Sequence, residues 1–445
     1  MPLIKPLPAD QSESPPQWFA GLAGVFAAIV LLKLGNPIIL DHLIEPPHRL
    51  DEIIFWSWPV NWGYGLLAIL ALASLAVVRL KTDAPRWIVW LPLAWLGWQF
   101  LSATQTVDAA LTRETLKHFT GCVVCFYIGL LALGPCKRTT GFWIGLLAGF
   151  VGVLMVGFNQ HYGGLEETRR FIYDQIQKGE VSPHPHLIAK MSSERIFGTL
   201  VYPNALAGVI LLLLPASLAA TWRLTERGSN VVRGVLTGVL AYAGLACLYW
   251  SGSKSGWLIA LGQGLLLLCL LPFNRIAKLA VVLTVIGVGL GVFFVRFDTY
   301  FQKGAKSVGA RFDYWQAALK TAGEHPVMGS GPGTFYVAYR KVKRPESEMA
   351  RLAHNDFLQQ ASDSGVLGCC AYAWMVLGSV AALYRKRLLE NRGSSPMMWL
   401  GLIGWVLQGF VEFGLYIPAS AWLAFLLLGW LWSDAATKRM HTTPT

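Results

Sequence analysis

The chain has 445 residues, of which 54% are hydrophobic and only 14% charged, with a mean hydropathy of +0.47. No soluble globular class has that balance, so the chain reads as an all-α polytopic membrane protein whose apolar runs cross the bilayer as helices of about 20 residues. The formal net charge of +12 is not a nucleic-acid footprint, because much of it sits in short connections between apolar runs, where it sets topology.

The first 17 residues, MPLIKPLPADQSESPPQ, are polar and rich in proline and lack the apolar stretch and small-residue cleavage site of a removable leader. They read as a cytoplasmic tail. About twelve spans follow, at roughly 18–34, 62–79, 87–101, 116–134, 141–158, 203–222, 233–250, 255–271, 277–295, 366–384, 397–413 and 418–432. With the N-terminus inside, the short inside loops are all basic: Arg79, Lys81 and Arg86; Lys137 and Arg138; Arg223, Arg227 and Arg233; Arg275 and Lys278; Arg385 to Arg392; and the tail with Lys438 and Arg439. The outside then receives 35–61, 102–115, 159–202, 251–254, 296–365 and 414–417, and both termini are cytoplasmic. Tryptophans gather near the span ends (Trp87, Trp90, Trp250, Trp257, Trp430 and Trp432), as an interfacial belt requires. The organisation is thus a tail at 1–17, an N-terminal bundle with the first long outside loop at 18–202, central spans at 203–295, an outside loop at 296–365, and closing spans with a short tail at 366–445.

All seven cysteines lie within or at the edge of apolar runs, so no disulfide framework is implied. The lone Cys122-x-x-Cys125 pair reads as small residues in helix packing. In the first long loop, His184-Pro-His186 and the group His161, Glu166 and Glu167 have loose spacing and no second half, so neither a metal nor another cofactor is expected.

The 296–365 loop is the most informative stretch. Ala310–Gly323 reads as an amphipathic helix with Phe312, Trp315, Ala318 and Leu319 on one face. His325-Pro326 ends it. Gly329-Ser-Gly331-Pro332-Gly333 is a turn cluster. Leu352–Ser364 reads as a second helix that sets Arg351, His354, Asn355 and Leu358 on one face.

His354 is the first candidate for chemistry, since an imidazole near its free pKa can take a proton from a hydroxyl at neutral pH. The bland alternative is an interfacial histidine. Arg195, Lys254 and Arg311 are placed to hold a diphosphate or similar anion; for Arg195 the alternative is contact with lipid head groups. Lys254 lies in Ser251-Gly252-Ser253-Lys254-Ser255-Gly256, which lacks P-loop spacing. Asn204, in Tyr202-Pro203-Asn204, opens a span. Glu412, an acid near the outer end of another, either serves the site or pairs with an arginine for packing.

Three stretches together resemble the O-antigen ligase and O-antigen polymerase family of bacterial polytopic glycosyltransferases. They are Arg195-Ile-Phe-Gly-Thr-Leu-Val-Tyr-Pro-Asn204, Ser251-Gly-Ser-Lys254-Ser-Gly-Trp, and Arg311-Phe-Asp-Tyr-Trp315 through Gly329-Ser-Gly331-Pro-Gly333 to Ala353-His354-Asn355-Asp356. The resemblance covers about 190–380. It implies a GT-C-like helical membrane fold in the bacterial inner membrane, with a large helical periplasmic loop. It also implies metal-independent transfer of a glycan from undecaprenyl diphosphate to a hydroxyl of a glycan, of lipid A core or of a protein. Carried onto this chain, His354 activates the acceptor, Arg195 and Arg311 hold the diphosphate, and Asn204, Asn355 and Glu412 join Lys254 around the substrate. The family usually has arginine where Lys254 stands, and lysine keeps the charge but loses the bidentate fork. The rival reading, a transporter of a small anion such as bicarbonate, requires ionisable residues near the middle of several spans, and these spans have almost none.

Overall fold

A computed structural model describes residues 17–177, 193–270, 274–302, 306–343, 349–385 and 395–437. In chain order its helices are α1 Gln17–Lys33, α2 Leu50–Phe55, α3 Val60–Leu75, α4 Arg86–Ala103, α5 Ala109–Ile128, α6 Thr140–Asn159, α7 Leu165–Gln177, α8 Pro203–Leu224 and α9 Asn230–Trp250. Then come α10 Lys254–Leu270, α11 Arg275–Gln302, α12 Lys306–Glu324, α13 Phe335–Val342, α14 Asp356–Ala373, α15 Ser379–Arg385, α16 Ser395–Gln408 and α17 Pro418–Thr437. No strand occurs among the described residues. Each of the twelve expected spans coincides with a helix. Among the described residues, six helical stretches are long and apolar enough to cross a membrane, and Gln17–Lys33, Val60–Leu75 and Lys254–Leu270 are apolar but shorter.

Several boundaries differ from the sequence reading, two of them near the site or its supports. α5 begins at Ala109 because Asp108 caps it, its Oδ1 accepting from the N–H groups of Ala110 and Leu111 at 3.0 Å each. α16 stops at Gln408 instead of 413, which leaves a short connection, 409–417, that carries Glu412.

α17 is the central post. Pro418 to Ser433 are all buried, as expected of a helix that is apolar all round and surrounded by others; α1, α5, α8 and α16 pack on it. The α1–α6 crossing uses small residues. Gly141, Gly145 and Gly149 recur every fourth residue on α6, and a methyl group on Gly145 would sit 2.3 Å from the Gly24 backbone. Such stripes let backbones meet where lipid gives no hydrophobic drive for association.

The loop from 306 to 365 folds onto this bundle. α12 forms as expected and ends at Glu324, but the face expected to be buried is corrected. Tyr314, Ala317, Ala318 and Thr321 are inside, while Phe312 and Leu319 are 59% and 58% exposed. The small alanines allow close approach to α14, which α12 packs against, while Phe312 and Leu319 are left outside. The second expected helix is also corrected. Leu352 to Asn355 are not helical, and α14 starts at Asp356, so His354 does not share a helix face with Arg351 and Leu358. Asn355 is the N-cap, its Oδ1 accepting from the Phe357 and Leu358 N–H groups at 3.0 Å each.

The first half of α14 is buried and polar, and it organises everything near it. Gln360 Oε1 accepts from Trp95 Nε1 at 2.9 Å and Gln99 Nε2 at 3.0 Å. Asp363 Oδ2 accepts from the Gly333 N–H at 2.9 Å and Gln359 Nε2 at 2.8 Å. The glycine turn is therefore a packing device: Gly331, at φ +109, passes so close to the connection between α4 and α5 that a methyl group there would lie 2.2 Å from Thr106 Oγ1. Gly365, at φ +71, breaks α14 just before the 366–384 span.

Candidate active site

Six of the seven residues singled out from the sequence meet at one place. Arg195 arrives on the segment before α8, Asn204 is the second residue of α8, and Lys254 is the first of α10. Arg311 comes from α12, His354 from the turn before α14, and Glu412 from the connection after α16. Arg195, Asn204, Lys254, Arg311 and His354 line a cavity of about 400 Å³. The seventh, Asn355, caps α14 and does not line it.

Glu412 is the hub, only 4% exposed. Its Oε1 accepts from Arg311 Nη2 and, at 2.5 Å, from Asn204 Nδ2. Its Oε2 lies 3.0 Å from His354 Nδ1. Asn204 Oδ1 in turn accepts from Arg195 Nη2 at 2.7 Å, and Arg195 Nε donates to the Ser251 carbonyl at 2.7 Å. Gly252, beside that carbonyl, has φ +61, and a methyl group on it would sit 3.1 Å from Arg195 Nε. Arg311 Nε also donates to the Val411 carbonyl at 3.2 Å. The chain Arg195–Asn204–Glu412–His354 thus ties four separate segments together.

Burial raises the carboxyl pKa of Glu412, but the neighbouring His354 and Arg311 outweigh it and hold the group below its ordinary value. A carboxylate only accepts, so the imidazole presents its Nδ1–H to it and keeps the Nε2 lone pair for another partner. Aromatic rings fix the imidazole plane. Tyr314 stacks on it at 5.7 Å, and Phe413 meets it edge-on at 4.8 Å. The backbone of His354 is left-handed, φ 51, and so is that of Val201, φ 59, next to Tyr202 in the cavity wall. These are the only non-glycine residues with positive φ among the described ones.

Cations dominate the other wall. Lys254 lies one residue before the 255–271 span, its Nζ 5.0 Å from the Phe297 ring centre. Burial, then the charges of Arg195, Arg311 and Arg296, pushes its pKa down to about 8. Burial also lowers that of Arg195, with Tyr202 and Glu412 opposing. Three cations, Arg195, Lys254 and Arg311, therefore line the cavity, with Arg296 close enough to add to their field, an arrangement suited to a multiply charged anion.

Sequence reasoning did not single out Tyr314 and Trp315 as cavity walls, nor Arg296 as part of the cationic group. The signal was present for Tyr314, which follows Arg311 by three residues and so shares its helix face. Of the other loop residues considered, His161 stacks on Trp250 at 3.9 Å. His184, His186 and the side chain of Glu167 lie outside the described residues.

A protein-family model described as O-Antigen ligase matches residues 239–373, less than a third of the chain. The matched stretch contains Lys254, Arg311 and His354; Arg195, Asn204 and Glu412 lie beyond it. No curated protein matches the chain. The match bears out the resemblance drawn from the motifs, and with the long apolar helices it supports a multi-pass membrane protein. It lends nothing to the small-anion transporter.

Proposed function

We propose that this protein transfers a glycan from undecaprenyl diphosphate to a hydroxyl acceptor at the periplasmic face of a bacterial inner membrane. In this reading twelve helices cross the membrane and both termini are cytoplasmic. The observation that carries it is the cavity itself, lined by His354, whose Nδ1 meets the Glu412 carboxylate behind it, together with Arg195, Lys254 and Arg311. The acceptor is a glycan, lipid A core or a protein.

The acceptor O–H gives its proton to His354 Nε2 as the oxygen bonds to the anomeric carbon of the donor sugar. The bond from that carbon to the diphosphate oxygen breaks, and undecaprenyl diphosphate leaves with the electron pair. Glu412 keeps the imidazole in the receptive tautomer and stabilises its charged form. Arg195, Arg311 and Lys254 meet the charge that grows on the leaving group; one such donor contributes about 3 kcal/mol in a preorganised site. Side-chain cations supply what a metal would, so the transfer is proposed to be metal-independent. A separate groove of about 540 Å³ runs along α8 and α10 from Ile210 and Ala260 toward Trp222 and Leu270. Its mainly apolar walls suit the polyprenyl tail.

The test is transfer by the purified protein in lipid nanodiscs, supplied with a lipid-diphosphate-linked glycan and a hydroxyl acceptor, with and without chelator. Transfer that survives the chelator and inverts the anomeric configuration is the expected outcome of a single displacement. Retained configuration would refute the mechanism, and no transfer to any of the three acceptor classes would refute the function.

A further inference from the structure

The connection 409–417 carries Glu412, yet apart from one short turn at Gly414–Tyr416 it has no regular helix to hold it. Asp356, two residues after His354, grips it at two points. Its backbone N–H donates to the Gly409 carbonyl at 2.7 Å, and its Oδ2 accepts from the Leu415 N–H at 3.1 Å. From α5, His118 Nε2 donates to the Leu415 carbonyl at 2.7 Å, so both polar groups flanking Leu415 are held by buried side chains. Asp356 and His118 are 1% and 0% exposed, and neither lines the cavity.

An acidic residue in the first turn of a helix usually serves that helix's own free N–H groups. Here Asn355 already does so, and the Asp356 carboxylate reaches across to another segment instead. Burial pushes the Asp356 carboxyl pKa well above its ordinary value, and placing so polar a group in the interior is costly unless it is hydrogen-bonded, so its place calls for a reason beyond packing. We infer that Asp356 is a positioning residue that sets Glu412 against His354, with His118 bracing the same stretch of backbone. One residue thereby spans the gap between the two halves of the pair. The consequence for rate rests on the transfer reading above; the geometric claim does not.

The experiment compares Asp356→Ala and Asp356→Asn in nanodiscs with two readouts. The first is the nitrogen-15 histidine NMR signal of the Nδ1–H bound to a carboxylate, assigned to His354 with a His354→Gln sample. The second is kcat for glycan transfer per monodisperse enzyme. Asp356→Ala leaves the Leu415 N–H without its acceptor, so the hydrogen-bonded signal disappears and kcat falls about 100-fold, the scale of a 1 Å misplacement. Asp356→Asn offers the same acceptor oxygen and keeps both. An unchanged signal in Asp356→Ala overturns the inference, whatever happens to transfer; so does an Asn variant as impaired as the Ala variant in both readouts. If the wild type transfers nothing while the signal still depends on Asp356, the positioning inference stands and the transfer reading falls. Should Asp356→Ala not yield folded protein, His118→Leu frees the Leu415 carbonyl and is judged by the same outcomes.

Discussion

Replacing Glu412 by glutamine changes charge and hydrogen-bond sense but hardly any volume. The glutamine oxygen still accepts from Arg311 or Asn204, while its amide nitrogen takes the place of Oε2, 3.0 Å from His354 Nδ1. Two donors then face each other. The imidazole relieves this by moving its proton to Nε2, which removes the lone pair that would receive the acceptor proton. Losing a general base costs about 10²–10⁴ in rate, or ~3–5 kcal/mol at 1.36 kcal/mol per decade. Arg311, whose side chain is 18% exposed, also loses its carboxylate partner, at a stability cost of about 3 kcal/mol. The folded-state pKa of Glu412 lies below its ordinary value, so this stability is fully present above the ordinary carboxyl pKa and is lost as pH falls through the folded one. The melting gap between wild type and Glu412→Gln should therefore be large at neutral pH and close in acid. The assay is single-turnover glycan transfer in nanodiscs, with melting curves at neutral and acid pH beside it. A Glu412→Gln enzyme within about threefold of wild type in rate would show that the carboxylate does not set the imidazole's tautomer.

Three further outcomes are expected. His354→Ala should insert and elute normally but lose transfer by about 10²–10⁴; normal surface glycan in cells carrying only this variant would remove the residue from the mechanism. For Lys254, held at about 8, donor KM should rise as pH passes 8, by up to about tenfold per unit, whereas Lys254→Arg should stay flat because guanidinium keeps its charge; parallel profiles would disprove contact with the leaving group. Gly331→Ala adds a methyl group 2.2 Å from Thr106 Oγ1 at φ +109 and should destabilise the fold by about 2–4 kcal/mol. An unchanged melting temperature would show that the turn is not clamped.

The helices were legible because their cause is local. Long apolar runs declare themselves within a few residues, whereas a cap such as Asp108, which extends α5 back to Ala109, did not. Arg195, Lys254, Arg311 and His354 were legible as a set because polar residues next to spans are few, and family-like motifs marked them. Neither source could show that Glu412 joins Arg311 to His354 across 101 and 58 residues of sequence. His354 was misplaced on a helix because the start of α14 depends on Asn355 turning its side chain back onto Phe357 and Leu358; the pattern of apolar residues alone does not reveal a cap of that kind. The face of α12 was misread for a related reason. Hydrophobicity favours Phe312 and Leu319 inside with Ala318, but only Ala318 of these is buried, and room against α14 favours Ala317 and Tyr314 beside it.

The left-handed backbones of Val201 and His354 bear on how such a protein can change over generations. For residues other than glycine this conformation costs roughly 1–2 kcal/mol each, and a branched valine there is an outlier. The chain accepts that penalty at two points around one cavity and, among its described residues, nowhere else outside glycine. Selection for heat resistance alone would relax those two positions first and spoil the aim of the imidazole. Selection for turnover would preserve them and seek stability elsewhere, for instance in the α1–α6 crossing. Stability and turnover would thus be adjusted at separate addresses in one sequence.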